Sequence, residues 1–115
     1  MRLRSDIWVS AYIRRCAVEH ASAVLRRRGA AEAGAIFVKI DRLDGRAALF
    51  GPAPQSETAE RGVERLWARM HRDDWIEPLA VEDRLRKEIA FDGDLWIVEV
   101  EDREGRNFLD LAAPG

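Results

Sequence analysis

The stretch that most restricts the fold is AIFVKIDRLDGRAALF, residues 35–50. Two runs rich in β-branched and aromatic residues flank Asp44-Gly45, a dipeptide that accepts the positive φ angles of a tight two-residue turn. With Leu43 and Arg46 beside that turn, Ile40 faces Leu49 and Lys39 faces Phe50 across the strands. Ile36, Val38, Ile40 and Leu49 then share an aliphatic side, and Phe37, Lys39, Asp41 and Phe50 share a mixed one. A sheet with one aliphatic face suits helices packed against that face.

The rest of the chain supplies the neighbours. In residues 7–15, Ile7, Val9, Ala11 and Ile13 alternate with Trp8, Ser10, Tyr12 and Arg14, the period-two pattern of a strand. Residues 17–28 space Ala17, Val18, Ala21, Val24 and Leu25 along one helical face, with Gly29 where a helix ends readily. VERLWARMH, residues 63–71, fits both periods, and Gly62 before it with Arg72-Asp73-Asp74 after it favours a strand, with WIE at 75–77 as a short partner. Pro78 opens a helix over 78–90, where its missing N–H costs nothing, with Val81, Leu85 and Ile89 on one face. Residues 95–101 form a strand with Trp96, Val98 and Val100 on one side, followed by a charged turn and a second short strand. The expected fold over residues 1–115 is α+β, a mostly antiparallel sheet with two helices packed on one face.

The 47% hydrophobic and 35% charged composition is that of a folded globular chain, not a disordered one. One cysteine, Cys16, excludes an intramolecular disulfide and a multi-cysteine zinc site. No stretch approaches the length of a membrane span, and MRLRSDIW lacks the apolar run of a secretory signal, so the cytoplasm is the expected location. Residues 1–58 carry ten basic and six acidic side chains, while residues 59–115 carry nine basic and fifteen acidic. A split of that kind predicts mutual neutralisation across the fold or between copies more than it predicts a nucleic-acid surface.

Three stretches, RLRSDIWVSAYIRR, RRRGAAEAGAIFVKIDRLDGRAALFGPAPQ and FDGDLWIVEVEDREGRNFLDL, resemble a family of short bacterial proteins catalogued as a domain of unknown function. The resemblance covers more than half of the chain. It implies a bacterial cytosolic protein without a known activity, and it carries no functional residues over.

Each chemistry-bearing cluster has a plain structural reading beside the functional one. On a helix Arg26, Arg27 and Arg28 would fan over a wide arc, and cations in a last turn favour the helix dipole. Asp92, Asp94, Glu99 and Glu101 could be imagined around a divalent metal in a hydrolase, but the spacing matches no Ca²⁺ loop and lacks the lysine of a nuclease core. Cys16 and His20 stand four residues apart on the expected helix, without an oxyanion loop or an orienting acid. RGAAEAGA lacks the lysine and Ser/Thr of a phosphate-binding loop. Residues 51–62 read equally as a binding loop and as a bland connection. No catalytic residue, metal ligand or cofactor is assigned.

The expected function is a non-enzymatic interaction module that binds a protein partner or a second copy of itself. Trp8, Tyr12, Phe37 and Phe50 on the mixed sheet face would be its anchors, oriented by Arg14 and Lys39. Single-stranded nucleic acid is the alternative occupant of that face, since rings stack bases and arginine meets phosphate. The metal-dependent hydrolase is the second alternative.

Overall fold

The structure is a computed structural model that describes residues 3–54 and 65–112. Helix α1 spans Ser5–Val18, followed by β1 Ser22–Arg27, β2 Ile36–Asp41, β3 Ala47–Pro52, β4 Trp67–Arg69, helix α2 Pro78–Phe91 and β5 Trp96–Glu101. The five strands form one sheet in the order β1-β5-β2-β3-β4. Of the pairings between these strands only β2–β5 is parallel; β1–β5, β2–β3 and β3–β4 are antiparallel. The α+β class with a mostly antiparallel sheet is therefore as expected.

The two helices do not share a face. Side chains alternate along a strand, and Ile36, Val38, Ile40, Trp96, Val98 and Val100 pack with Val9, Tyr12 and Cys16 of α1. Phe37, Leu49 and Ile97 pack instead with Val81 and Leu85 of α2, on the other face. The central strands β2 and β5 are thus buried on both sides, which one layer of helix could not achieve.

Residues 7–15 are helical, not a strand. Ser5, Val9, Tyr12 and Cys16 are the buried positions of α1, spaced by three and four, as a helix with one buried stripe requires. The alternation of Ile7, Val9, Ala11 and Ile13 is a by-product of a segment that is apolar at most positions. Fourteen residues also exceed the usual length of a strand.

The helix expected at 17–28 is absent for a local reason. At His20 the backbone turns left-handed, with φ of 64°. The His20 N–H donates to the Ala17 carbonyl at 3.0 Å and the Ala21 N–H to the Cys16 carbonyl at 2.9 Å. This pair of bonds is a Schellman motif, and it ends α1 and releases the chain into β1. The arginine triplet therefore sits at a strand end.

The hairpin at 35–50 forms, with its register displaced by one residue. Arg42 N–H donates to the Arg46 carbonyl at 2.9 Å, so three residues, Leu43 to Gly45, make the loop. Positive φ falls at Leu43 and Gly45, and Asp41 and Asp44 each accept a backbone N–H within the turn. Ile40 consequently faces Ala48, Lys39 faces Leu49, and Val38 faces Phe50. A slip of one residue exchanges the faces: Phe50 joins the α1 side, and Leu49 joins Phe37 on the α2 side.

Helix α2 begins at Pro78 and β5 covers Trp96–Glu101, close to expectation. Residues 67–69 of the 63–71 segment form β4, and Ile76 makes an isolated bridge with Ala47. Leu111 makes a single bridge to Trp67 in place of a second strand after the turn. Residues 63–64 and most of 51–62 lie outside the described residues.

Replacing His20 by glycine removes the Cβ that disfavours left-handed backbone. His20→Gly is expected to raise the unfolding free energy by about 0.5–1 kcal/mol, net of the glycine's greater unfolded-state entropy, read as a higher urea midpoint at unchanged slope.

Candidate functional site

The sheet does not gather the six expected contact residues on one open face. Trp8 and Tyr12 are one turn apart on α1, stacked at 4.8 Å with planes 13° apart, and Trp8 also meets Trp67 at 4.8 Å. Tyr12 is buried, its hydroxyl donating to the Asn107 carbonyl at 2.7 Å. Burial raises its pKa above the ordinary tyrosine value. Phe50 is buried on the same side, under the Arg69 guanidinium at 4.9 Å. Phe37 and Lys39 are buried on the opposite side. Arg14 is exposed and lies two residues, about 200° of helix rotation, from Tyr12. Among the six, Trp8 and Arg14 alone reach solvent appreciably.

Lys39 belongs to an ionic network. Its Nζ lies 2.8 Å from Glu82 Oε2 and 3.7 Å from Glu99 Oε2. Arg26 forks onto Glu82 at 2.7 and 2.8 Å and reaches Glu99 Oε1 at 3.0 Å. Hydrogen bonding from Arg26, outweighing partial burial, and then from Lys39 holds the Glu82 carboxyl down to about 2. The network ties α2 to β1, β2 and β5, and it joins bases of the first half of the chain to acids of the second. Charge neutralisation across the fold thus has a physical address.

The acidic motif does not converge either. Asp92 accepts the Asp94 N–H at 2.9 Å in a local turn, Glu99 is held by Arg26 and Lys39, and Glu101 is exposed at the end of β5. Among the described residues no three His, Cys, Asp or Glu side chains come together around a possible metal position. Cys16 is fully buried, and burial pushes its thiol pKa up, away from nucleophilic thiolate. His20 lies beyond the helix in the left-handed turn, so no Cys–His pair exists on one helical face.

His71 closes the β3–β4 side. Leu49 N–H donates to its Nε2 at 3.0 Å, and its Nδ1 lies 2.7 Å from the Asp73 carbonyl. A backbone N–H can only donate, so Nε2 is unprotonated and Nδ1 carries the hydrogen. Burial, aided by the nearby charges of Arg69 and Arg84, lowers the imidazole pKa, against Asp73.

The feature best suited to recognition is a groove of about 420 Å³ between α1 and β1. Ile7, Ser10, Ile13 and Arg14 line its helix wall, Leu25 and Arg28 its strand wall, and Trp96 its floor. Ile7 is 49% and Leu25 38% exposed, so the walls present apolar surface to solvent. Arg28 reaches the groove because β1 bulges. Leu25 pairs with Val98 and Arg27 with Ile97, which leaves Arg26 as an extra residue. Such a bulge re-aims the side chains beyond it, and the Arg28 guanidinium lies 5.3 Å from the Trp96 ring on the α1 side. Arg26 meanwhile points to Glu82 on the other face, and Arg27 donates to the Gly93 carbonyl at 2.7 Å.

Ile7, Leu25 and Arg28 were not among the expected contact residues. A helical reading of the first segment places Ile7, Ser10 and Arg14 on one stripe, at spacings of three and four. That signal is present in the sequence; the bulge has no comparable signature.

Fold and site together define a small α+β domain built on a mixed sheet, with an open apolar-and-arginine groove between α1 and β1 and, among the described residues, no cluster of three possible metal-ligating side chains. The family model described as "Protein of unknown function (DUF1491)" matches residues 3–110, and the chain belongs to that family. The solution structure of a protein from A. tumefaciens is similar over 99% of this chain and 98% of that one, at 39% identity and a TM-score of 0.82. The crystal structure of a DUF1491 family protein from Caulobacter crescentus CB15 is similar over 98% of this chain and 100% of that one, at 35% identity and a TM-score of 0.79. No curated protein matches the chain. No helix among the described residues is long and apolar enough to cross a membrane.

Glu82→Gln is expected to cost about 1–3 kcal/mol of unfolding free energy, because Lys39 and Arg26 lose a shared charge in a partly buried setting. Glu82 is held below its ordinary value of 4.5, so its contribution is present above that pH and is lost as pH falls toward about 2. Acid titration of unfolding stability should show a larger loss in the wild type than in Glu82→Gln, in which Asp102 and Asp6 still titrate below their ordinary value.

For His71 the folded value lies below the unfolded 6.5, so the unfolded chain takes up the proton first. Its contribution is present above 6.5 and declines as pH falls through that value toward the lower folded one. Urea unfolding at about pH 7 and about pH 5 should show the decline in the wild type and a smaller one in His71→Gln, whose side chain can accept from Leu49 at either pH.

Proposed function

We propose that the chain acts as a non-enzymatic interaction module that binds a protein partner at the α1–β1 groove. The observation that carries the reading is the pairing of solvent-facing Ile7 and Leu25 with Arg14, whose guanidinium has no ionic or hydrogen-bonding partner among the described residues. Exposed apolar side chains rimmed by arginine are the composition expected of a contact surface. Arg14 keeps the orienting role expected of it, and partly exposed Trp8 remains a candidate at the margin of α1. Tyr12, Phe37, Lys39 and Phe50 support the domain from inside. Base stacking has less to rest on, since three of the four expected rings are buried.

Affinity capture from an extract of the native cells, with and without nuclease, tests the reading. The expected result is a nuclease-resistant protein retained by the wild type and by Leu79→Ser, an exposed substitution on α2, and lost with Ile7→Asp and Arg14→Glu. Retention that disappears on nuclease treatment, or that survives both groove substitutions, would overturn it.

A further inference from the structure

The two edges of the sheet are treated differently. On the β4 edge, Trp67 N–H donates to the Asp110 carbonyl at 2.9 Å and Ala112 N–H to the Trp67 carbonyl at 2.8 Å, so the chain covers its own edge. On the other edge, β1 pairs inward with β5, and no further hydrogen bond reaches the backbone of residues 22–25 among the described residues. That edge forms one rim of the α1–β1 groove. An unpaired edge beside an apolar groove is the geometry in which an extended segment adds as a further strand, its backbone bonded to the edge and alternate side chains seated in the groove.

We propose that the partner of this groove is an extended, acidic and apolar segment of another protein, which pairs with Ser22–Leu25 as a sixth strand. This rests on the reading of the groove as a protein-binding surface and names its occupant. The first turn of α1 hydrogen-bonds to residues beyond the end of β1, Ser5 N–H to the Glu32 carbonyl at 3.1 Å and Asp6 N–H to the Ala31 carbonyl at 3.0 Å. Helix and strand therefore run in opposite directions, and Arg28 and Arg14 stand toward opposite ends of the groove, with Ile7, Ile13 and Leu25 between them. Asp6, an acid that also lines the groove and feels the Arg28 charge, is bonded first to Arg4 at 3.2 Å, which leaves the Arg28 guanidinium without a hydrogen-bonded carboxylate among the described residues.

The complementary ligand carries an apolar side chain for the middle of the groove and a carboxylate two residues away on either side, all on the same face of the added strand. The bulge at Arg26 ends the regular edge after Leu25 and limits the pairing to a short segment. A second copy of this chain fits less well, because its own β1 would bring Arg26, Arg27 and Arg28 toward a rim that is already basic.

The test uses a fluorescein-labelled short peptide in which valine alternates with threonine between flanking glutamates, and a twin with lysine for every glutamate. The wild-type chain is expected to bind the glutamate peptide about tenfold or more tightly than the lysine twin, and Arg14→Glu to remove that preference. Hydrogen exchange of outward-facing amides within Ser22–Leu25 should slow about tenfold on binding. Arg14 is exposed, so Arg14→Glu should retain the wild-type circular dichroism and melting temperature, and loss of either would direct the comparison to Arg28→Gln. Binding that is sensitive to Arg14 but leaves β1 exchange unchanged would overturn strand addition while the groove reading stands. Equal binding of both peptides, or none at millimolar concentration, would overturn the acidic ligand. Concentration-dependent self-association that protects β1 without peptide would overturn it in favour of a second copy.

Discussion

The architecture depends on burying both faces of the central pair β2 and β5. Ile36 through Lys39 and Ile40 are all buried, as are Trp96, Ile97, Val98 and Val100. These strands are adjacent and parallel, and parallel strands require a long connection between them. Here the connection contains β3, β4 and α2, so the segment that makes the parallel pairing possible also supplies the helix for one face. Helix α1 must then cover the other. At about 25 cal/mol per Å² of apolar surface removed from water, losing either layer would expose side chains from several strands together, a cost too large for a domain of this size to absorb.

Lys39 is the exception that this arrangement has to accommodate. It lies in the middle of β2 on the α2 side, where every other β2 position is apolar except Asp41 at the strand end. A buried ammonium without partners would be strongly unfavourable, and the two carboxylates near it come from α2 and β5. Arg26 satisfies the same carboxylates from the edge strand. The network therefore couples the position of α2 to the sheet and fixes the direction of Arg26. Because Arg26 is also the extra residue of the bulge, the ionic network on one face and the groove on the other share a single backbone irregularity.

How much of the fold was legible in the sequence depends on how local each determinant is. The hairpin, α2 and β5 carry their own signals: Asp44-Gly45, Pro78 at a helix start, and Trp96, Val98 and Val100 in alternation. The hairpin register was not legible, because Asp41 and Asp44 accept backbone N–H groups that draw a third residue into the loop. The strand expected at 7–15 and the helix expected at 17–28 come in the reverse order, since Ile7 to Ile13 satisfies both periods and the left-handed turn falls at a histidine instead of a glycine. The expected placement of Trp8, Tyr12 and Arg14 depends on that order, and that of Phe37, Lys39 and Phe50 on the hairpin register. Correcting α1 to a helix turns Trp8 and Tyr12 toward the core and leaves Ile7, Ser10 and Arg14 at the groove.

An uncovered edge strand is a hazard for any sheet, and proteins commonly blunt such edges with charge, bulges or covering segments. The β4 edge has a covering segment, whereas β1 has a bulge and arginines at one end and a short unblocked stretch, Ser22–Leu25, at the other. Blunting half of an edge restricts which segments can pair with it without closing it. Four residues of backbone offer too few hydrogen bonds to hold an arbitrary strand, since each contributes only about 0.5–1.5 kcal/mol net. For the proposed added strand, selectivity would then come from the groove wall, where the charges of Arg14 and Arg28 favour carboxylates over bases. A short edge beside a charged groove is thus a more discriminating surface than a long edge would be.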